Sequence, residues 1–259
     1  MSEENKTKVS RRQLLSKLAL GAAAVQATSV MAKTGNKNTP NTQKTSNHHW
    51  GMVIDLRKCI GCQACTVACK IENNAPVGKF RTWVSDIEVK TFPETKREFL
   101  PHLCNHCDNP SCVPVCPTGA TFKREDGIVL IDNEKCWGCG ACVTACPYDV
   151  RFINQETKTA DKCTFCAHRL EQGLLPACAE TCVGGARIFG DLNDKNSEVS
   201  QLIKKHPTSV LKPETGNNPN VFYIGLDNLA TVARQAKDNN WATEFEEVFG
   251  EELLFKGAK

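Results

Sequence analysis

Apolar positions in this chain recur at period two in short runs broken by polar turns, and take on helical spacing only toward the C-terminal end. Residues 52–55 read as a short strand. Residues 80–91, with apolar side chains at alternate positions, and 97–100 predict a hairpin. Residues 121–122 and 128–131 flank the turn sequence Glu125-Asp126-Gly127 and predict a second strand pair. Residues 151–153 and 157–160 repeat the arrangement across 154–156. Further on, 197–206 predicts an amphipathic helix, 221–224 a strand, and 226–236 and 241–254 two helices. Trp241, Phe245, Val248, Phe249 and Leu253 share a helical stripe, which suits core packing or, as the sharper reading, docking on a partner. Strand pairs followed by a helical segment over 191–259 define an α+β fold.

Before residue 50 the pattern differs. Ser10-Arg11-Arg12-Gln13-Leu14-Leu15 is a twin-arginine pattern; a mildly apolar stretch follows to Ala32, and Val30-Met31-Ala32 offers a small-residue cleavage site. Leu14 stands where Phe is common, and Lys17 falls one place late. Residues 1–32 are expected to be a twin-arginine signal peptide, an address read by a receptor rather than an anchor. Residues 33–49, rich in Asn, Thr, Lys and Gly, read as a disordered leader. No later segment approaches the roughly 20 apolar residues of a membrane span. The expected location is the periplasm, peripheral to the membrane through a partner.

Charge narrows the function classes. The net charge of +3 is matched by the +3 of residues 1–32, which leaves 27 basic and 27 acidic residues in the remainder. A neutral body without a basic stripe offers no footprint for nucleic acid.

One residue type stands out: there are 16 cysteines, in four groups of four with none left over. They are Cys59, Cys62, Cys65 and Cys69; Cys104, Cys107, Cys112 and Cys116; Cys136, Cys139, Cys142 and Cys146; and Cys163, Cys166, Cys178 and Cys182. Groups one and three have the C-x2-C-x2-C-x3-C spacing of bacterial ferredoxins. Three thiolates so close together let a tight loop wrap one 4Fe–4S cubane. The fourth is expected to begin a helix leading away, and so to ligate the neighbouring cluster. Gly61, Gly138 and Gly140 suit such a loop. Groups two and four keep C-x2-C at the start and C-x3-C at the end but lengthen the middle.

Pro117 and Pro147 follow the last cysteine of groups two and three, whereas Lys70 and Val183 follow those of one and four. The contrast suggests two ferredoxin-like units over 50–190, one nested inside the other. One cluster takes Cys104, Cys107, Cys112 and Cys146, and the next Cys136, Cys139, Cys142 and Cys116. Another takes Cys59, Cys62, Cys65 and Cys182, and the last Cys163, Cys166, Cys178 and Cys69. The expected cofactors are therefore four 4Fe–4S clusters. Zinc sites use two separated C-x2-C pairs, often with His, and do not have this spacing. Closely spaced C-x2-C repeats make poor disulfide staples. Twin-arginine export of folded proteins also suits metal centres assembled in a reducing cytosol. His102, His106 and His168 read as packing around the clusters rather than as ligands. Lys58, Lys70, Lys135 and Lys162 adjoin ligands and either favour the reduced state or are ordinary surface lysines.

The sequence resembles the electron-transfer subunits of molybdopterin oxidoreductase complexes, the B subunits of dimethyl sulfoxide, polysulfide, thiosulfate and tetrathionate reductases. The matching stretches run from Asp55 through Cys59, Cys62 and Gln63, from Leu103 through Cys107 to Pro110, and from Asp161 to Cys166, with Gly184 to Ile188 and Val210 to Glu214 besides. The tetrathionate branch is the nearest, and the likeness spans about 52–225. The resemblance implies the same crossed ligand pairing and a relay with no catalytic residue of its own. It also implies two partners: a molybdopterin-containing catalytic subunit and a quinol-oxidising integral membrane subunit. Some relatives carry Trp for one cysteine of the third group and hold a 3Fe cluster; here Trp137 sits beside Cys136 and all four ligands remain. The rival readings are the same relay in a thiosulfate/polysulfide, sulfite, nitrite or formate complex, or a free-standing periplasmic ferredoxin.

Overall fold

The computed structural model describes residues 47–91 and 94–226. The expected signal peptide, residues 33–46 of the expected leader, and the helices predicted beyond 226 lie outside the described residues. Within them no helix is long and apolar enough to cross a membrane.

The centre is a three-stranded sheet in the order β8-β1-β9. Strand β1 (Trp50–Asp55) pairs antiparallel with β8 (Arg187–Asp191), with Val53 opposite Ile188, and parallel with β9 (Val221–Ile224), with Val53 opposite Phe222. Met52, Val53 and Ile54 are fully buried, because both faces of the sheet are covered. On one face Val53, Ile188 and Ile224 pack against Val199 of helix α5 (Glu198–Lys205). Full burial of a side chain of this size contributes ~1.5–3 kcal/mol. Helix α5 starts where Ser197 accepts a hydrogen bond from the Ser200 N–H at 3.2 Å, a side-chain N-cap. On the other face Met52 and Ile54 join a core that includes Cys65, Cys104, Cys163 and Cys178.

Three hairpins accompany this sheet; the first two fall where the alternating runs predict, and the second strand of the third overlaps the predicted run 157–160 only at Ala160. They are β2 (Thr82–Thr91) with β3 (Glu94–Leu103), β4 (Thr121–Lys123) with β5 (Val129–Ile131), and β6 (Phe152–Ile153) with β7 (Ala160–Asp161). Helices α1 (Ala64–Glu72), α2 (Ala141–Thr144), α3 (Ala167–Leu170) and α4 (Ala177–Glu180) are short and stand among the cysteines.

Three expectations need correction. The helices of groups one and three do not begin at the fourth cysteine: α1 starts at Ala64 and carries both Cys65 and Cys69, and α2 starts at Ala141, carries Cys142 and ends before Cys146. Side chains four apart lie on one helical face, so α1 itself spaces the third and fourth thiols of its group. Secondly, the boundary at 190 falls inside the sheet. Strand β8 extends to Asp191, and β9 completes the edge of β1, so residues 191–224 belong to the same unit. The sequence hides β8 because glycines stand on both sides of the short run Ile188-Phe189, which masks any alternation. Thirdly, the end of the expected leader is tied down. Asp191 accepts from the His49 N–H at 2.9 Å and lies 2.6 Å from His48 Nδ1.

Candidate metal centres

All sixteen cysteines are free thiols. Two sets each line a small cavity. One is lined by Cys104, Cys107, Cys112 and Cys146, together with Tyr148 and Arg151. The other is lined by Cys116, Cys136, Cys139 and Cys142, together with Trp137 and Gly140. In both, three thiols come from one loop and the fourth arrives from another group. Elsewhere Cys59 has Cys65 and Cys182 as electrostatic neighbours. Cys163 has Cys69, Cys166 and Cys178. Cys62 and Cys139 are the two exposed cysteines.

The loops are built to surround a guest. Gly138 has φ +67°, and a Cβ there would stand 2.0 Å from the Lys158 carbonyl oxygen. Gly61 has the same φ, and a Cβ there would meet the Phe99 ring at 2.3 Å. The residue after the second cysteine turns left-handed in groups one and three: Gly140 at φ 79° and Gln63 at φ 60°. A non-glycine residue there is strained. Gln63 offsets this by donating to the Val84 carbonyl at 2.8 Å and accepting from Thr66 Oγ1 at 2.7 Å.

Backbone N–H groups point at sulfur. Ala186 N–H donates to Cys182 Sγ at 3.2 Å, Ala160 to Cys136 at 3.3 Å, Thr121 to Cys116 at 3.4 Å and Phe165 to Cys163 at 3.4 Å. Such donors stabilise an anionic sulfur ligand. Burial, followed by the charges of neighbouring thiols, pushes Cys69 and Cys107 up to about 12. Burial raises Cys112 to about 11 against the pull of Arg151. Cys116 goes the other way: burial raises it, but the Thr121 N–H and the Thr118 hydroxyl outweigh that and bring it to about 7. Buried thiols this reluctant to ionise become ligands only as a metal displaces their protons.

The histidines keep to packing. His106 is fully buried, stacks on Phe165 at 3.8 Å and accepts from the Val129 N–H at 3.1 Å. His102 stacks on Trp83 at 5.1 Å, and His168 Nε2 lies 2.8 Å from Glu72.

The lysines divide. Lys58 and Lys135 are exposed, and Lys70 donates to the carbonyls of Ala75, Pro76 and Lys79. Lys162 is 1% exposed and donates to the Cys163 carbonyl at 2.7 Å. Two further buried cations escaped the sequence reading. Arg151 Nη2 donates to Cys112 Sγ at 2.9 Å, and Arg187 lies buried directly after Ala186, whose N–H donates to Cys182 Sγ. One signal was available: each arginine follows the last cysteine of its group by five residues, Cys146 and Cys182.

The donor set, the glycine cradles and the aimed N–H groups fit iron–sulfur cubanes held by thiolates. Among the described residues no three or more His, Cys, Asp or Glu side chains converge on a point that would hold a single ion. The class is thus a ferredoxin-type iron–sulfur protein, and the comparisons agree. Residues 58–120 and 95–192 each match a 4Fe-4S dicluster domain, which with sixteen cysteines accounts for four 4Fe–4S clusters.

Among known proteins, the chain is similar to the tetrathionate reductase B subunits of Salmonella typhimurium and Archaeoglobus fulgidus. The Salmonella relative is 54% identical over 222 residues, covering 84% of this chain and 89% of the relative. The Archaeoglobus relative is 51% identical over 174 residues, 67% of this chain and 81% of the relative. The arsenate respiratory reductase iron-sulfur subunit ArrB of a Shewanella species is 42% identical, over 67% of this chain and 95% of the relative. The chain belongs to the family of tetrathionate reductase B subunits and related reductase iron–sulfur subunits.

Proposed function

We propose that this chain is the electron-transfer subunit of a tetrathionate reductase. It relays electrons from a quinol-oxidising membrane subunit to a molybdopterin-containing catalytic subunit, and performs no chemistry on the substrate itself. When bound, each 4Fe–4S cluster accepts and releases one electron. In this reading the four sets follow one another in a fixed order. The ligands are Cys59, Cys62, Cys65 and Cys182; then Cys69, Cys163, Cys166 and Cys178; then Cys104, Cys107, Cys112 and Cys146; then Cys116, Cys136, Cys139 and Cys142.

What supports this reading is contact between neighbouring sets. Cys65 and Cys69 stand four apart on α1, Cys104 and Cys163 share one buried core, and Arg151 bonds both Cys112 Sγ and Thr121, whose N–H donates to Cys116 Sγ. The exposed thiols, Cys62 and Cys139, belong to the two terminal sets. Exposed apolar residues flank the same two ends: Ile60 and Val183 beside Cys59 and Cys182, and Trp137 between Cys136 and Cys139. Apolar surface at an otherwise charged exterior marks a place for a partner. In this reading residues 1–32 direct twin-arginine export of the subunit to the periplasm, and the segment beyond 226 is the candidate for docking on a partner subunit.

Isolation of the native complex tests the assignment. A molybdopterin-bearing large subunit should co-purify, and tetrathionate added to the dithionite-reduced complex should reoxidise the clusters. A large subunit without molybdopterin, or clusters that stay reduced under tetrathionate, would refute it.

A further inference from the structure

The four thiol sets are separated by three buried cations whose charge has no carboxylate to answer it. Arg187 and Arg151 are each 4% exposed and Lys162 is 1% exposed. Among the described residues, no carboxylate lies within ion-pair distance of any of the three. Neutral oxygens hold them in place. Arg187 Nη2 donates to Thr82 Oγ1 at 2.8 Å, Arg151 Nη1 to Thr121 Oγ1 at 3.4 Å, and Lys162 to the carbonyls of Val129 and Cys163. Arg187 Nη1 is buried with no hydrogen-bond partner.

Each cation adjoins two sets. Arg151 bonds Cys112 Sγ and also Thr121, whose own N–H donates to Cys116 Sγ. Lys162 bonds the carbonyl of Cys163 and that of Val129, which lines the cavity of Cys104, Cys107, Cys112 and Cys146. Arg187 follows Ala186, whose N–H donates to Cys182 Sγ, and its strand packs against the helix that carries Cys178.

We propose that Arg187, Lys162 and Arg151 are redox-positioning cations, one at each junction of the relay, each raising the reduction potential of the two clusters it separates. The inference rests on the four-cluster relay described above. Its physical basis is charge balance. A guanidinium does not deprotonate in proteins; burial disfavours the Lys162 ammonium, which the carbonyls of Val129 and Cys163 hold as a donor; and a buried charge without a partner is strongly unfavourable. Among the described residues the counter-charge left to them is that of the thiolate-bound clusters, which are anionic and become more so on gaining an electron. A fixed cation therefore favours the reduced form of whatever it touches. Set between two clusters, it acts on both, so neither becomes a trap relative to the other. The cations neither accept nor donate electrons. The shared offset of Arg151 and Arg187 from their cysteines builds the same device at both ends of the series.

The test is a potentiometric titration of the cluster-loaded complex followed by electron paramagnetic resonance, with iron and sulfide counted in the same samples. Arg151→Met should lower the potentials of the two clusters on either side of it, those of Cys104/Cys107/Cys112/Cys146 and Cys116/Cys136/Cys139/Cys142. A tenfold loss of electron affinity, 59 mV for a one-electron couple, or more is expected. The other two clusters should keep theirs. Arg187→Met should shift the opposite pair, and Arg151→Lys should restore wild-type values. Unchanged potentials in a four-cluster Arg151→Met protein would overturn the proposal, as would an equal shift of all four. If Arg151→Met loses a cluster, Arg151→Lys decides. Four clusters at wild-type potentials support the charge, whereas loss or lowering there too assigns Arg151 to shape and overturns it. A wild-type protein lacking four clusters would instead refute the underlying relay.

Discussion

The hydroxyl of Tyr223 donates a hydrogen bond of 2.9 Å to the carbonyl oxygen of Pro101, and Tyr223 is fully buried. The bond fastens β9, the last strand described, to β3 of the long hairpin, across the core that holds the buried cysteines. Tyr223→Phe keeps the ring but leaves a buried carbonyl unanswered, at a cost of ~1–3 kcal/mol. A lower thermal midpoint with all clusters retained is expected under anaerobic conditions. An unchanged midpoint would mean that β9 is peripheral.

Gly138→Ala strikes the loop of the third group. The new Cβ would stand 2.0 Å from the Lys158 carbonyl, and the backbone φ is +67°. The left-handed geometry alone costs ~1–2 kcal/mol for a non-glycine residue, and a backbone oxygen has little room to move. The variant should lose the cluster lined by Cys116, Cys136, Cys139 and Cys142 while keeping the others, read as a fall of about a quarter in iron and sulfide. Full iron content would show that the loop is slack.

Cys112→Ala removes one thiol from the cavity shared with Cys104, Cys107 and Cys146 and leaves Arg151 without its sulfur contact. In the proposed order this cluster is the third of four, so on that proposal electron flow from quinol to the acceptor should stop even where the remaining clusters persist. Full quinol-linked activity would contradict the serial order.

Asp191 is the pH-sensitive tie. Burial raises its carboxyl, but the His49 N–H, His48 and the Asn193 N–H outweigh that and hold it below the ordinary 3.8. A carboxylate depressed in the folded state stabilises above its unfolded value, and that contribution disappears as the pH falls through the folded one. Asp191→Asn should therefore lower the thermal midpoint at neutral pH, with the gap to wild type closing below pH about 4. A gap that persists undiminished to pH about 3 would contradict the assigned sign.

What was legible in the sequence follows from range. Thiol ligands of one loop are close in sequence, so their grouping could be read directly, as could the Glu125-Asp126-Gly127 turn and the strand at 221–224. The long-range partners of single residues could not. Nothing in the run around Ile188 announces that it pairs with Val53, and a lone arginine such as Arg187 carries no sign of burial. Lys162 looked like Lys58 and Lys135 because burial is set by tertiary packing, here the stack of His106 on Phe165 beside it. The cysteine spacing alone does not show where the helices begin: each starts directly after a left-handed residue, Gly140 in one loop and Gln63 in the other, and Gln63 at φ 60° carries no sign of that conformation in the sequence.

The most direct test of the account is the iron and acid-labile sulfide content of anaerobically purified protein, with its visible spectrum before and after dithionite. The account predicts four iron and four sulfide for every four cysteines, in a brown protein that bleaches on reduction. A colourless, natively folded protein holding zinc, or one with far less iron and no sulfide, would contradict it.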